Sequence, residues 1–354
     1  LRLRAYKKWL IGLLIGVIVL AAAVYGYVSN GLSPAAKSNE EVKITIEQGM
    51  GSRAISDTLE KQGLIRNADL FLVYLKYRNE GSKFKAGTYA FKPGVSLDQI
   101  IDRINRGDTV KEETTRFTIP EGYTLRQIAD KLALEGIADR KVFLEAAKNP
   151  DAIAPELAQT IPKGAVLKFP MEGYLFPETY EFKKGSTEQD ILVRMTQELK
   201  SKLEQLPADW ETTMKDKRKL TFHEMLTVAS LVEREVIADQ ERPLVAGVIY
   251  NRLADEMRLQ IDATVQYLFD KPKARLLYKD LELESVYNTY LHSGLPPGPI
   301  ANPSLASIKA AIYPEPSKFL FYVTKKDGTR THLFAETFKQ HQKNIEISNQ
   351  LAND

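Results

Sequence analysis

The sequence predicts an α+β protein: a single N-terminal transmembrane helix, a repeated strand-turn-helix region, and a mainly helical C-terminal domain carrying a hairpin. Three observations predict it. Twenty residues from Trp9 to Val28 lack any charge. Two stretches between Val42 and Leu199 repeat one another. From Thr221 onward apolar residues recur at helical spacing. With 354 residues, 44% apolar and 27% charged, the chain has the composition of a globular protein with room for two or three domains.

The apolar run is long enough to cross a hydrocarbon core of about 30 Å. Arg2, Arg4, Lys7 and Lys8 precede it, and Trp9 at one end with Tyr25 and Tyr27 at the other suit the two interfaces. Residues 1–8 are therefore expected in the cytoplasm, 9–28 in the inner (cytoplasmic) membrane, and the body outside. A cleaved signal peptide fits less well, because the run is long and Tyr25-Gly26-Tyr27 is a poor cleavage site. Those four cations exceed the net charge of +3, so the remainder has no basic footprint, and nucleic acid is excluded as a partner. With no cysteine there is no disulfide and no thiolate chemistry.

Residues 29–41 are polar, contain Pro34 and read as a linker. The first repeat spans 42–110 and the second 115–199. In their first blocks Ile46, Gly49, Ile55, Leu59 and Gly63 match Ile119, Gly122, Ile128, Leu132 and Gly136 at a constant offset of 73. In their second blocks Tyr89, Phe91, Gly94 and Ile100 match Tyr180, Phe182, Gly185 and Ile191 at an offset of 91, so the second copy carries an insertion. Each copy reads as an alternating strand, a glycine turn and a helix closed by glycine. Such units resemble LysM modules, which implies glycan binding; a scaffold role fits the residues equally well.

A connector from Lys200 to Lys219, broken by Pro207, leads to the last domain, 220–354. Thr221 and Glu224 form a capping-box pattern for a helix running to about Ile237, and a second helix runs from about Pro243 through Leu253. The chain then reads as a helix (304–313), a hairpin turning at Asp327-Gly328 and a closing helix. On the capped helix Leu226, Ala229, Val236 and Ile237 form an apolar stripe, and Glu233 completes its spacing. Burial raises a carboxyl pKa, so such a glutamate suits a general acid. It equally suits an ion pair with Arg234, Arg252 or Arg258.

ASLVEREV, PLVAGVIYNRL, MRLQIDATVQYL and YNTYLHSGLPPGPIANPSLASIKAAIYP together resemble the signature of the YceG-like family, and the domain order matches along nearly the whole chain. The resemblance implies an endolytic peptidoglycan lytic transglycosylase that cuts between N-acetylmuramic acid and N-acetylglucosamine and leaves 1,6-anhydro ends, with 220–354 as catalytic domain. It puts the catalytic acid on Glu233. The spacing from Glu233 to Asn251-Arg252 also resembles that of spore cortex-lytic hydrolases, which favours Glu233 over Glu235. The resemblance makes Asp262, Thr264, Gln266, Asn288 and Tyr290 substrate-binding residues, although Ala263 replaces the family's proline, and adds Glu172 from the EGYLFPETY motif. His332 and His341 match family positions, yet two isolated histidines make no metal site. No metal or cofactor is expected. The implied partners are peptidoglycan glycan strands, the membrane and peptidoglycan synthases. A non-catalytic glycan-binding scaffold and a muramidase-type hydrolase remain the rival readings.

Overall fold

The computed structural model describes residues 2–35, 41–92, 94–110 and 113–352, so residues 36–40 of the expected linker lie outside the described residues. The chain divides into two compact units, Leu1–Glu112 and Glu113–Asp354.

The first unit opens with α1 (Arg2–Gly31). Its segment Trp9–Gly31, 23 residues with a mean hydropathy of 2.4 and none of it buried, is long and apolar enough to cross a membrane. The helix runs three residues past Val28. Its last turn closes through the Leu32 N–H on the Val28 carbonyl at 2.9 Å, so Ser29 to Gly31 are helical rather than linker. After it come β1 (Val42–Ile46), α2 (Ser52–Lys61), α3 (Ala68–Tyr77), β2 (Gly87–Phe91) and α4 (Leu97–Arg106). β1 and β2 pair antiparallel, Ile44 opposite Tyr89. Ile44, Ile46, Ile55, Leu59, Phe71, Tyr89, Phe91 and Ile100 form the core of this unit.

The second unit begins with β3 (Thr114–Thr118), α5 (Leu125–Leu134), α6 (Arg140–Ala146), α7 (Pro150–Ile153), α8 (Pro155–Ala158), β4 (Thr179–Lys183) and α9 (Glu188–Leu203). β3 and β4 also pair antiparallel, Phe117 opposite Tyr180. The glycines of the sequence repeat keep the same backbone: Gly49 and Gly122 stand at φ +85° and +71°, Gly94 and Gly185 at +91° and +88°. A side chain would be strained at each.

The chain continues through α10 (Trp210–Thr212), α11 (Phe222–Glu235), α12 (Arg242–Ala254), α13 (Asp262–Gln266), α14 (Tyr278–Leu281), α15 (Leu305–Ile312), β5 (Phe321–Thr324), β6 (His332–Ala335) and α16 (Phe338–Leu351). β5 and β6 pair antiparallel, Tyr322 opposite Phe334. Phe117, Ile128 and Tyr180 belong to the same buried cluster as Leu226, Ala229, Ile308 and Ile312, so the second repeat and the helices after residue 220 share one core. α11 starts as its sequence requires. Thr221 Oγ accepts from the Glu224 N–H, and the Glu224 carboxylate accepts from the Thr221 N–H at 2.8 Å. It stops at Glu235, earlier than its periodicity predicts, because Val236 turns to extended backbone at φ −120°, ψ 130°. Ile237 leaves the apolar stripe in consequence and is exposed.

Candidate active site

α11 is buried along most of its length, with Leu226, Ala229, Leu231 and Val232 fully enclosed. Its last turn carries two carboxylates that leave the helix in different directions.

Glu233 points toward the N-termini of α12 and α15. The Ser304 N–H donates to its Oε2 at 3.0 Å, the Ser304 hydroxyl at 2.6 Å and Arg242 Nη1 at 3.1 Å. Ser304 is the N-cap of α15, its oxygen also accepting from the Ser307 N–H. A carboxylate there complements the partial positive charge of the helix end. Arg242 is itself buried and further bound to Asp239 at 2.9 Å and Ser307 Oγ at 2.5 Å. The Glu233 side chain is only 5% exposed, so what it shows to solvent is decided oxygen by oxygen. Oε2 is held by three donors. Oε1 accepts from none of the described residues, and it is not shut away from solvent. One oxygen is anchored and the other is open, the arrangement a proton donor requires. The ion pair expected as the alternative is also present, with Arg242 in place of Arg234, Arg252 or Arg258.

The glycine turn of the second repeat closes on this carboxyl. A Cβ on Gly122 would lie 3.5 Å from Glu233 Cγ. Arg234 Nη1 donates to the Gly122 carbonyl at 3.1 Å, and the Gly122 N–H donates to the Asn302 carbonyl at 3.0 Å. Glu121, exposed on that turn, has its carboxyl pushed above the ordinary carboxylate range by desolvation and then by the charge of Glu233; Arg242 opposes the shift.

Glu235 points toward the hairpin. The Tyr322 hydroxyl on β5 donates to its Oε2 at 2.7 Å. Burial pushes its carboxyl above the ordinary range; the Tyr322 hydrogen bond opposes that, the charge of Asp262 adds to it, and His332 and Arg234 oppose it. Asp262, the exposed first residue of α13, accepts from the Tyr290 hydroxyl at 2.5 Å.

The other expected contacts have different work. Thr264 is fully buried and donates to the Ile261 carbonyl at 2.7 Å, with its hydroxyl 3.0 Å from that of Thr289. Gln266 clamps a turn, accepting from the Lys273 N–H and donating to the Lys273 carbonyl, each at 2.9 Å. Asn288 is fully buried and donates to the carbonyls of Leu281 and Leu283 at 2.9 and 2.8 Å. Glu172, 1% exposed, accepts from the Leu125 N–H at 2.8 Å, the Tyr267 hydroxyl at 3.1 Å and Asn302 Nδ2 at 3.2 Å. Burial pushes its carboxyl up to about 7. Thr264, Asn288 and Glu172 are thus buried with partners inside the protein, and Gln266 has both polar ends engaged.

The Pro-rich loop 294–298 is held to α11. His223 Nε2 lies 3.0 Å from the Pro297 carbonyl, and Ser230 Oγ accepts from the Ile300 N–H at 3.1 Å. His332 is buried with Nδ1 2.7 Å from Glu241 Oε2, and His341 stacks on Phe321. Among the described residues no three His, Cys, Asp or Glu side chains converge as a metal site. Sequence reasoning missed Glu121, Arg242 and Ser304. The signal for Ser304 was its place just before a helix, and for Glu121 the repeat itself, which pairs it with Gln48 at the offset of 73.

The chain matches the YceG-like family over residues 44–347. It is 37% identical over 336 residues to a Bacillus subtilis (strain 168) protein named endolytic murein transglycosylase, covering 92% of this chain and 90% of that one. A Streptococcus pneumoniae (strain D39) protein of the same name is 33% identical over 363 residues; the match takes in 96% of this chain and 65% of the relative's length. The crystal structure of a yceG-like protein from Listeria monocytogenes superposes with a TM-score of 0.58 at 36% identity, covering 86% of this chain and 99% of that one.

Proposed function

Because the chain belongs to the YceG-like family, we propose that it is a membrane-anchored peptidoglycan lytic transglycosylase, cutting glycan strands internally. The observation that carries this reading is the 37% identity to an endolytic murein transglycosylase along nine-tenths of both chains. α1 is the anchor. The cations ahead of it favour a cytoplasmic N-terminus and a body outside, where a tether keeps the site concentrated near newly made strands and their synthases. The repeat region, with its LysM-like strand-turn-helix pattern, holds the glycan.

The general acid is Glu233, supported by its motif position, its anchored Oε2 and its open Oε1. In the reaction, Glu233 protonates the oxygen between N-acetylmuramic acid C1 and N-acetylglucosamine C4, and the C1–O bond breaks. The carboxylate left behind is stabilised by Ser304 and Arg242. It then takes the proton of the muramic C6 hydroxyl, whose oxygen bonds to C1. A 1,6-anhydro end results, Glu233 regains its proton, and no water is consumed. Asp262 and Tyr290, bonded to one another and within solvent reach, contact the strand.

One observation favours a second reading. Glu121 sits on the glycine turn that packs against Glu233, and a hydrolase requires a second carboxyl about 5 to 9.5 Å from its acid. Cleavage of purified strands in heavy-oxygen water separates the two. Unlabelled, borohydride-resistant muramic ends are expected; labelled, reducible ends would make the enzyme a hydrolase, with Glu121 or Asp262 as base or nucleophile.

A further inference from the structure

We infer that His223 is a positioning residue of the glycan site: from the first turn of α11 it pins the Pro-rich loop 294–298 as a wall of the cleft, and residue 298 is glycine because the imidazole occupies the space of its side chain. The proposal rests on the cleft being the one at Glu233.

From Pro297 to Ser304 the chain runs along one face of α11 and is tied to it three times. His223 Nε2 lies 3.0 Å from the Pro297 carbonyl, Ser230 Oγ accepts from the Ile300 N–H at 3.1 Å, and Glu233 Oε2 accepts from the Ser304 N–H at 3.0 Å. Positions 223, 230 and 233 have the i, i+7, i+10 spacing of a single helix face. A carbonyl only accepts, so Nε2 carries the proton and donates to Pro297. Tyr174 fixes that tautomer, its hydroxyl lying 2.9 Å from Nδ1 and donating to it. The ring is buried, and desolvation lowers its pKa against the opposing Pro297 hydrogen bond and Glu224 charge, which keeps it neutral. An imidazole bonded at both nitrogens has one orientation, and so has the carbonyl it holds.

The loop backbone is shaped to that contact. A Cβ on Gly298 would lie 2.9 Å from His223 Nε2 and 2.9 Å from Leu167 Cδ2. Gly298 is not among the glycines at positive φ, so space rather than backbone conformation requires it. Further along, a Cβ on Gly173 would lie 2.5 Å from Pro299 Cβ, and Asn302 Oδ1 accepts from the Leu175 N–H at 2.9 Å. Leu167, Gly173, Tyr174 and Leu175 all lie between Gly136 and Tyr180, the stretch in which the second repeat is longer than the first. That longer connection is the seat of the loop. Gly294 and Leu295 are half-buried and follow the exposed His292 and Ser293, which leaves the outer side of the loop open to a ligand. From position 223 to 233 α11 rises about 15 Å, so this wall meets the strand away from the bond being cut. Near the acid, Ser230 and Ser304 hold the chain independently of His223.

The experiment reads kcat and KM of the full chain in detergent on purified glycan strands, with strand binding measured directly in a Glu233→Gln background. His223→Phe keeps a ring and removes the donor; KM and the dissociation constant should rise about five- to tenfold, the size of one hydrogen bond, with kcat unchanged. His223→Gln, whose amide nitrogen reaches the place of Nε2, should restore most of the affinity. Gly298→Ala displaces the loop while leaving the imidazole intact, and should weaken binding as His223→Phe does; if His223→Phe does not fold, Gly298→Ala decides alone. Unchanged binding in either variant, a loss confined to kcat, or a His223→Gln no better than His223→Phe overturns the role of His223. Full activity in Glu233→Gln overturns the acid assignment, and with it the cleft to which the wall belongs.

Discussion

Glu233 and Glu235 stand one residue apart at the end of the same helix, and their surroundings differ in kind. Around Glu233 a serine N–H, a serine hydroxyl and a guanidinium converge on one oxygen, while the other stays open beside the turn that carries Glu121. Around Glu235 a single phenol donates, and Asp262 interacts through its charge. The first environment orients a carboxyl and supports its charged form after a proton has left. The second seats a carboxyl against the hairpin. Residues i and i+2 project from a helix about 200° apart, so neighbours in sequence are given different jobs by what the rest of the fold brings to each face.

The comparison is broken most directly by removing one partner from each carboxyl. In Arg242→Leu, Glu233 loses its guanidinium in a place where both side chains are 5% exposed. Breaking such a buried pair costs about 3 kcal/mol or more. In Tyr322→Phe, Glu235 loses one hydrogen bond, which costs about 1 kcal/mol. Denaturant unfolding of the second unit should rank the two variants in that order; equal losses would mean that the donors around Glu233 do not form the stronger anchor.

Glu172 sharpens the comparison as a third carboxyl, buried like Glu233 but with no guanidinium bound to it. Its pKa rises from 4.5 to about 7 on folding, so the folded state binds its proton more tightly than the unfolded chain. The resulting stability is fully present below about pH 4.5 and is lost as pH climbs through about 7, a change of about 3 kcal/mol. Glu172→Gln should flatten that part of the stability-versus-pH curve relative to wild type. Parallel curves would mean that Glu172 does not titrate there.

Local pattern carried much of the fold. The apolar run of α1, the mixed helix and sheet of the body, the glycines at positive φ and the capping box at Thr221 are all set by residues within a few positions of one another. The site was legible only where it depended on such patterns. Periodicity placed Glu233 on the buried face, and its side chain is buried; periodicity does not report donors, and Arg242 and Ser304 arrive 9 and 71 residues later. The same limit hid Tyr322 from Glu235, 87 residues away. Glu121 was visible in the repeat alignment, but its nearness to Glu233 depends on contacts that Asn302 makes across the chain. Thr264, Asn288 and Glu172 sit in motifs that resemble a substrate site, yet their polar atoms are bonded to backbone and side-chain partners within the protein. A motif does not distinguish a residue that touches sugar from one that shapes the loop touching it.

The central claim is that the acid is Glu233 and not Glu235, which ends the same helix and whose carboxyl burial pushes upward. Its most direct test is the specific activity of Glu233→Gln and Glu235→Gln on the same purified glycan strands, each normalised to folded protein. Glu233→Gln should lose at least about 10²-fold in kcat with glycan binding intact, while Glu235→Gln retains activity near wild type per folded molecule. The reverse pattern, with Glu235→Gln folded but inactive and Glu233→Gln active, would contradict the account.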